Sequence, residues 1–555
     1  MTGIEAFLEI LAAAGITHLF GNPGTTELPL NAALAHDSRF RYHFGIQEVP
    51  VVAMADGYTM ASGRPSVVNV HVACGLGNAM GMLYNAHCEG TPLVITAGQQ
   101  DRRLRLGEPV LDGDLVSVAR PWTKWSYEVQ RVDDIPTAVR RAVQIALSPP
   151  TGPVFLSLPL DLQLETITSP DLSPPTLIDR RVRPAAEALR QAAKILASAR
   201  RPVILAGSRV TESGGCDALA ALAEQLGAPV FAEGTTSHGR LPLRSDHPLY
   251  RSVFGYWSSD IREQLAPYDV VFAVGLNLFR LYIHREPACP LPPHARVIHL
   301  DNAPHEIGKN FPLELGIWGD PHSGLVELNE RLAQNMTGEQ RTAAAWRVQQ
   351  LTAERQSSQS QLRATIAEQQ LSRPLTPLAF MNAIAAALPD NTAVVEEAIT
   401  THQNVLEKLG IIRDPAAHFA HRGWALGWGL GCALGVKLAW PDRPVLGLLG
   451  DGSALYGIQG LWSAAHHQIP VTFVIANNRQ YKILKVCGDV LNLPELREPT
   501  CPGINIQQPH VDFVGLARSF GVEAERITEP DALTARLRES LVGDRPRLIE
   551  VSIAD

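Results

Sequence analysis

The sequence predicts an α/β chain of three domains in series, each a parallel sheet covered by helices on both faces. Three observations carry this. First, apolar runs recur along the chain: SVVNVHVA, PLVITAG, PVFLSLP, PVILAG, VVFAVG, RVIHLD, PVLGLLGDG, VTFVIANN and RLIEVSIA. Each is short, β-branched and apolar on both faces, as a strand buried between two helix layers must be. Second, helical segments alternate with these runs, the pattern of parallel crossovers rather than hairpins. Third, two polar stretches divide the chain. Residues 163–186 (QLETITSPDLSPPTLIDRRVRPAA) are proline-rich, and residues 335–373 are polar and glutamine-rich. Alanine, glutamine and arginine favour helix, so the second stretch is expected to hold a surface helix. The cuts leave domains at 1–165, 186–335 and 374–555, each expected to be Rossmann-like.

Composition narrows the function. With 555 residues, 45% hydrophobic and 19% charged, the chain can build large cores and is not mainly disordered. A net charge of −8 with no lysine-rich tail argues against nucleic acid or an acidic membrane surface as partner. Seven scattered cysteines form no CxxC pair, which argues against a cysteine zinc site or a disulfide framework. The opening MTGIEAFLEILAAAGITHLF reads as an amphipathic helix entering a strand. It has no basic leader, and Glu5 and Glu9 interrupt its apolar face, so no signal peptide is expected. WALGWGLGCALGVKLAW comes nearest to a membrane span, but its glycines and Lys437 suit a buried helix start. A cytoplasmic location is expected.

The strongest chemical signal lies in the last third. PVLGLLGDGSALYGIQGLWSAAHHQIPVTFVIANNRQY reads strand, Gly450-Asp451-Gly452, helix, strand, Asn477-Asn478. Asp451 and Asn478 then stand at the carboxyl ends of two parallel strands, where open α/β sheets bind ligands. Both offer hard oxygen ligands of the kind Mg²⁺ prefers, and a backbone carbonyl near Gln480 completes the protein set. Gly452-Ser453 opens the following helix, whose free N–H groups attract phosphate. A metal-bridged diphosphate is the expected occupant.

This arrangement resembles the GDG…NN cofactor motif of thiamine diphosphate-dependent enzymes. FRYHFGIQEVPVVAMADGYTMASG resembles that family's catalytic-glutamate segment, which makes Glu48 the expected partner of the aminopyrimidine ring. FGNPGTTELP, NVHVACGLGNAMG, VITAGQQ and KWSYE resemble the benzoylformate decarboxylase branch of 2-oxo acid decarboxylases and acetolactate synthase relatives. The likeness covers most of the first and third domains. It implies that the first domain binds the pyrimidine and the third binds the diphosphate and Mg²⁺, with a Rossmann-like module between.

The resemblance also assigns roles. Asn22, Pro23 and Gly24 contact the cofactor, and His71 relays protons at the reacting centre. Thr25 stands where the branch has serine, and its hydroxyl faces the substrate carboxylate. Thr400, Thr401, Gly450, Ser453 and Tyr481 lie against the diphosphate half. Leu426 occupies the place of the wedge under the bent cofactor, and the Trp424 carbonyl that of the acceptor for the amino group. The branch's second histidine falls in Phe279-Arg280-Leu281-Tyr282-Ile283-His284. His284 reaches the site, or Tyr282 replaces it, or neither does. Ile483, Leu484 and Cys487 line the substrate side. His466-His467 read as a solvated helix face. The middle domain lacks GxGxxG, so NAD is not expected, and nothing signals flavin.

The resemblance implies non-oxidative decarboxylation of an aromatic or branched 2-oxo acid to an aldehyde and CO₂. The alternative is an acetolactate synthase-like carboligase that joins the decarboxylated fragment to a carbonyl acceptor. It also implies active sites at subunit interfaces, in a homodimer or a homotetramer.

Overall fold

The computed structural model describes residues 1–233 and 239–554. Three six-stranded sheets follow one another, and every pairing between their strands is parallel. The α/β fold expected from the doubly apolar runs is therefore the fold observed.

The first sheet runs, edge to edge, Arg41–Phe44, His18–Asn22, Ser66–Val70, Leu93–Gln99, Val154–Pro159, Ser126–Glu128. The last runs His418–Phe419, Ala393–Glu397, Val445–Gly450, Thr472–Asn477, Arg547–Ser552, Glu523–Ile527. These two sheets share one strand order. In both, the chain direction across the sheet reverses between the first strand and the third. That switch point opens a crevice at the carboxyl edge. The middle sheet differs: Leu315–Trp318, Arg296–Asp301, Val270–Val274, Pro202–Ala206, Val230–Ala232, Tyr250–Val253.

Glycines weld the first and third domains together. Helix Glu48–Ser62 crosses helix Trp428–Ala439 so closely that a Cβ on Gly57 would lie 2.3 Å from the Cys432 carbonyl oxygen. One on Gly435 would lie 2.0 Å from that of Met54. The apolar, glycine-rich stretch is thus a buried interdomain helix, and one core contains Val51, Met54, Trp428 and Leu434 together. A second core joins Leu222 and Phe272 of the middle domain to Phe380 and Ile549 of the third.

The stretch after residue 335 folds as the helix Gly338–Gln369, with only Ala344 and Ile366 buried along it. It docks through arginines instead: Arg347 donates to the Leu226 carbonyl at 2.6 Å and Arg355 to that of Tyr250 at 2.6 Å. Among the described residues no helix is long and apolar enough to cross a membrane.

Candidate active site

Asp451 follows strand Val445–Gly450 directly, and Asn478 follows the adjacent strand Thr472–Asn477. Thr400 and Thr401 follow Ala393–Glu397, the strand on the other side of the switch point. The three turns border a cleft lined by Thr400, Thr401, Leu426, Asp451, Ser453 and Gln480, with Gly450, Gly452, Asn478, Tyr481, Lys482 and Ile483 also in its wall. Arg479, at φ +59°, reverses the chain after Asn478, and its N–H donates to Asp451 Oδ2 at 2.7 Å. The Gln480 N–H donates to Asn478 Oδ1 at 3.1 Å. Tyr481 packs against Gly452, where a Cβ would come 2.6 Å from its ring.

The electrostatics of this cleft ask for a cation. Burial pushes the Asp451 carboxyl up to about 6, although backbone N–H groups bond it. Gln480 Oε1 is buried without a hydrogen-bond donor. A carboxylate, an amide oxygen and an orphan acceptor line the cleft into which the short helix Asp451–Tyr456 opens. That donor set fits a hard divalent ion carrying phosphate.

Glu397 fixes the floor of the cleft. It is buried and accepts the N–H groups of Gly427, Trp428 and Gly429 at 3.0, 3.1 and 2.9 Å. A carboxylate on a helix N-terminus is favoured by both the free donors and the dipole. It anchors the turn that presents Leu426. Trp424 sits two residues earlier at φ +63°, its N–H donating to His421 Nδ1 at 2.9 Å. Its indole packs edge-on to Tyr282, with ring centres 5.0 Å apart.

That contact involves Tyr282 of the middle-domain string. His284 has 74% of its side chain exposed and lies 3.6 Å from Glu286, on the surface. Tyr282 is the residue that meets Trp424, and it touches Cys487. Two residues along a loop turn opposite ways, so sequence order could not decide between them. His284, for which the resemblance left three outcomes open, lies on the surface of this protomer.

The first domain assembles a second group at its own switch point. Asn22 ends strand His18–Asn22, and His71 follows strand Ser66–Val70. Glu48 opens helix Glu48–Ser62 and is 5% exposed. It accepts Asn22 Nδ2–H at 3.0 Å and Asn78 Nδ2–H at 3.1 Å. Beside it, His71 Nδ1 lies 2.8 Å from Glu27 Oε2 and 3.2 Å from Thr26 Oγ1. Gly24 lets that ring in, since a Cβ there would lie 2.2 Å from it. Val72, next to His71, holds φ +34°, a strained value for a β-branched residue and one that clusters at functional turns. Thr25 is exposed in the same loop, and Pro23 is half-buried.

Three residues here escaped the sequence reading. Glu27 is buried, and besides His71 it accepts the N–H groups of Gly24 at 2.9 Å and Gly98 at 2.7 Å. Asn78 and Glu397 are the others. Glu27 and Asn78 lie inside strings singled out for their likeness, TTELP and CGLGNAMG, but their partners are distant in sequence. His467 corrects an expectation. It does not face solvent: its Nε2 lies 2.9 Å from the Phe44 carbonyl oxygen, and its ring meets His43 edge-on at 5.7 Å. His466 is exposed and stacks on Trp462 at 4.6 Å.

Comparison with known proteins agrees with this geometry. Residues 1–118 match the N-terminal thiamine pyrophosphate-binding domain, 189–328 the central domain, and 398–551 the C-terminal thiamine pyrophosphate-binding domain. The chain is 34% identical to benzoylformate decarboxylase of Pseudomonas aeruginosa, over 99% of this chain and 98% of that one. It is 27% identical to the acetolactate synthase isozyme 3 large subunit of Escherichia coli, over 98% and 92%. The solved structure of a thiamine diphosphate-dependent 4-hydroxybenzoylformate decarboxylase from Rhodococcus jostii superposes with a TM-score of 0.87 at 30% identity, covering 100% of this chain and 99% of that one. With its three domains matched and its whole length shared with such relatives, this chain belongs to the thiamine pyrophosphate enzyme family.

Proposed function

We propose that the protein is a thiamine diphosphate- and Mg²⁺-dependent decarboxylase of an aromatic or branched 2-oxo acid, releasing an aldehyde and CO₂. The observation that carries the reading is a pair of complementary half-sites. One is the cleft with Asp451, Asn478 and Gln480, suited to a metal diphosphate. The other is the Glu48 carboxylate held by Asn22 and Asn78, suited to a ring nitrogen.

The cleft's wall comes from residues 398–483 alone. Glu48 and His71 do not line it, so in this reading a second protomer supplies them. The assembly is then a homodimer or a homotetramer of closed symmetry, with each site shared between two chains.

Bound thiamine diphosphate supplies the carbanion chemistry that 2-oxo acid decarboxylation needs. The chain supplies the rest. Asp451, Asn478 and the Gln480 carbonyl hold Mg²⁺, and Thr400, Thr401 and Ser453 bond the phosphates. Leu426, on the turn that Glu397 anchors, would pack against the cofactor. Glu48 keeps a proton at the pyrimidine ring nitrogen. His71 has Nδ1 committed to Glu27, which leaves Nε2 to move a proton at the substrate carbonyl. The Thr25 hydroxyl bonds the substrate carboxylate. Ile483, Cys487, Tyr282 and Trp424 wall off the substrate side chain and exclude water.

The test is turnover by purified enzyme given thiamine diphosphate and Mg²⁺ with a panel of aryl, branched and short 2-oxo acids. Equal amounts of CO₂ and aldehyde are expected, and Glu48→Gln is expected to abolish them while still binding cofactor. A 2-hydroxy ketone as main product assigns the carboligase reaction instead. No CO₂ from any member of the panel overturns the proposal.

A further inference from the structure

One side chain of the first domain grips the turn that carries Leu426. Asn85 lies in helix Val72–Glu89 and is 0% exposed. Its Nδ2–H donates to the Ala425 carbonyl at 2.8 Å, and its Oδ1 accepts the Ala425 N–H at 3.0 Å. Ala425 stands between Trp424 and Leu426. Among the described residues no backbone–backbone hydrogen bond involves any of these three. A segment with so few bonds of its own opens easily unless outside groups hold it.

The holding groups differ in kind. His421 and Glu397, both of the third domain, accept the N–H groups of Trp424 and Gly427 at 2.9 and 3.0 Å. Asn85 comes from another domain and takes both the donor and the acceptor of one residue. Asparagine suits this task, because its short side chain ends in an N–H donor beside a carbonyl acceptor. The fit is close: a Cβ on Gly423 would lie 2.3 Å from Asn85 Oδ1 and 2.8 Å from its Cα. Trp424 holds φ +63°, a left-handed value that persists only where the surroundings enforce it. The helix also serves the other half-site. Asn78, two turns before Asn85, is the donor to Glu48 Oε2 at 3.1 Å.

We infer that Asn85 is a positioning residue that sets the Leu426 turn, and with it the fit of the cleft to the ring half of the cofactor. It does not line the cleft itself, whereas Leu426 does. The inference rests on the proposed function, in which Leu426 packs against the cofactor and Asp451, Asn478, Thr400 and Thr401 hold its metal diphosphate. Removing the clamp releases the turn and leaves the diphosphate ligands in place. The hold on the rings is weakened, and the hold on a bare diphosphate is not.

The test is calorimetric titration of two ligands, thiamine diphosphate and inorganic pyrophosphate, each with Mg²⁺, into full-length parent, Asn85→Ala and Asn85→Asp. The second variant keeps the size of the side chain and the acceptor for the Ala425 N–H, but sets an oxygen against the Ala425 carbonyl. Both variants are expected to bind thiamine diphosphate roughly tenfold or more weakly than the parent and pyrophosphate as the parent does. General damage to the fold would weaken both ligands together. Should neither variant be soluble, hydrogen exchange of the parent without ligand is expected to show a slowly exchanging Ala425 amide, although that residue lies outside every helix and strand. Unchanged thiamine diphosphate affinity, a parallel loss of pyrophosphate, or a rapidly exchanging Ala425 amide overturns the role of Asn85 and leaves the cleft's assignment standing. A parent that binds neither ligand overturns that assignment, and the role of Asn85 with it.

Discussion

His71 can relay protons only if one ring nitrogen is held and the other is free, and Glu27 supplies the hold. Its carboxylate lies 2.8 Å from Nδ1 while accepting two backbone N–H groups that lock its own position. His71→Ala is expected to lower kcat by roughly 10²–10⁴-fold, the range for a positioned acid–base group. Glu27→Gln is expected to lower it less, because the imidazole remains but loses its orientation. Groups that work as a unit are not additive. The double variant should therefore be no slower than His71→Ala, as steady-state kinetics on one 2-oxo acid would show. A product of the two single effects would mean that Glu27 acts independently.

At the scale of elements, the crossing of helices Glu48–Ser62 and Trp428–Ala439 is set by glycines. In Gly435→Ala the new methyl meets the Met54 carbonyl, which is backbone and cannot swing aside. Overpacking of this kind costs about 1–3 kcal/mol. It outweighs the roughly 1 kcal/mol that alanine gains over glycine in a helix. Thermal unfolding is expected to show a lower melting temperature. An unchanged or higher value would mean that the helices do not approach this closely. Here the sequence is half legible. The glycine-rich run announces close packing but not its partner, because Met54 lies some 380 residues away. Strands were legible because burial on both faces leaves an unbroken apolar run. The GDG and NN turns were legible because neighbouring parallel strands bring them to one edge. Strand order was not, since it depends on which crossovers pass over the sheet. Glu27, Asn78 and Glu397 were hidden for a similar reason: each acts through backbone or side-chain groups that only folding brings near. His284 and Tyr282 show the limit inside a loop, where no period says which side chain turns inward.

At the scale of the molecule, pH and assembly both test the fold. Burial holds His43 down to about 3 and His18 to about 4, with Arg41 facing both and His467 facing His43. Both rings are neutral in the folded protein, whereas an unfolded histidine titrates near 6.5. The unfolded chain therefore binds more protons from pH 6.5 down to about 4, and stability falls as pH drops through that window. Asp56 and Asp451, each raised to about 6 by burial, act in the opposite sense. They keep protons in the folded state, and that contribution is lost as pH rises from about 4 through 6. His43→Phe removes the His43 share of the first effect and leaves that of His18. Between pH 6.5 and about 4 its melting temperature should fall less than the parent's, and an equal fall would contradict the buried neutral histidine.

The shared site of the proposed function is tested by mixing protomers. A heterodimer of Glu48→Gln and Asp451→Ala protomers carries one site with both residues intact and one with neither. Random pairing of the two inactive chains is thus expected to restore about a quarter of the parental activity. Restoration of none would place Glu48 and Asp451 of one chain in the same site.

The most direct measurement is calorimetric titration of thiamine diphosphate into the parent, Asp451→Ala and Glu48→Gln, each with Mg²⁺ and with chelator. Saturable uptake of about one cofactor per chain is expected in the parent and in Glu48→Gln with Mg²⁺, and none in Asp451→Ala or with chelator. Parent enzyme that takes up no cofactor, or Asp451→Ala that binds it as the parent does, would contradict the assignment of the cleft.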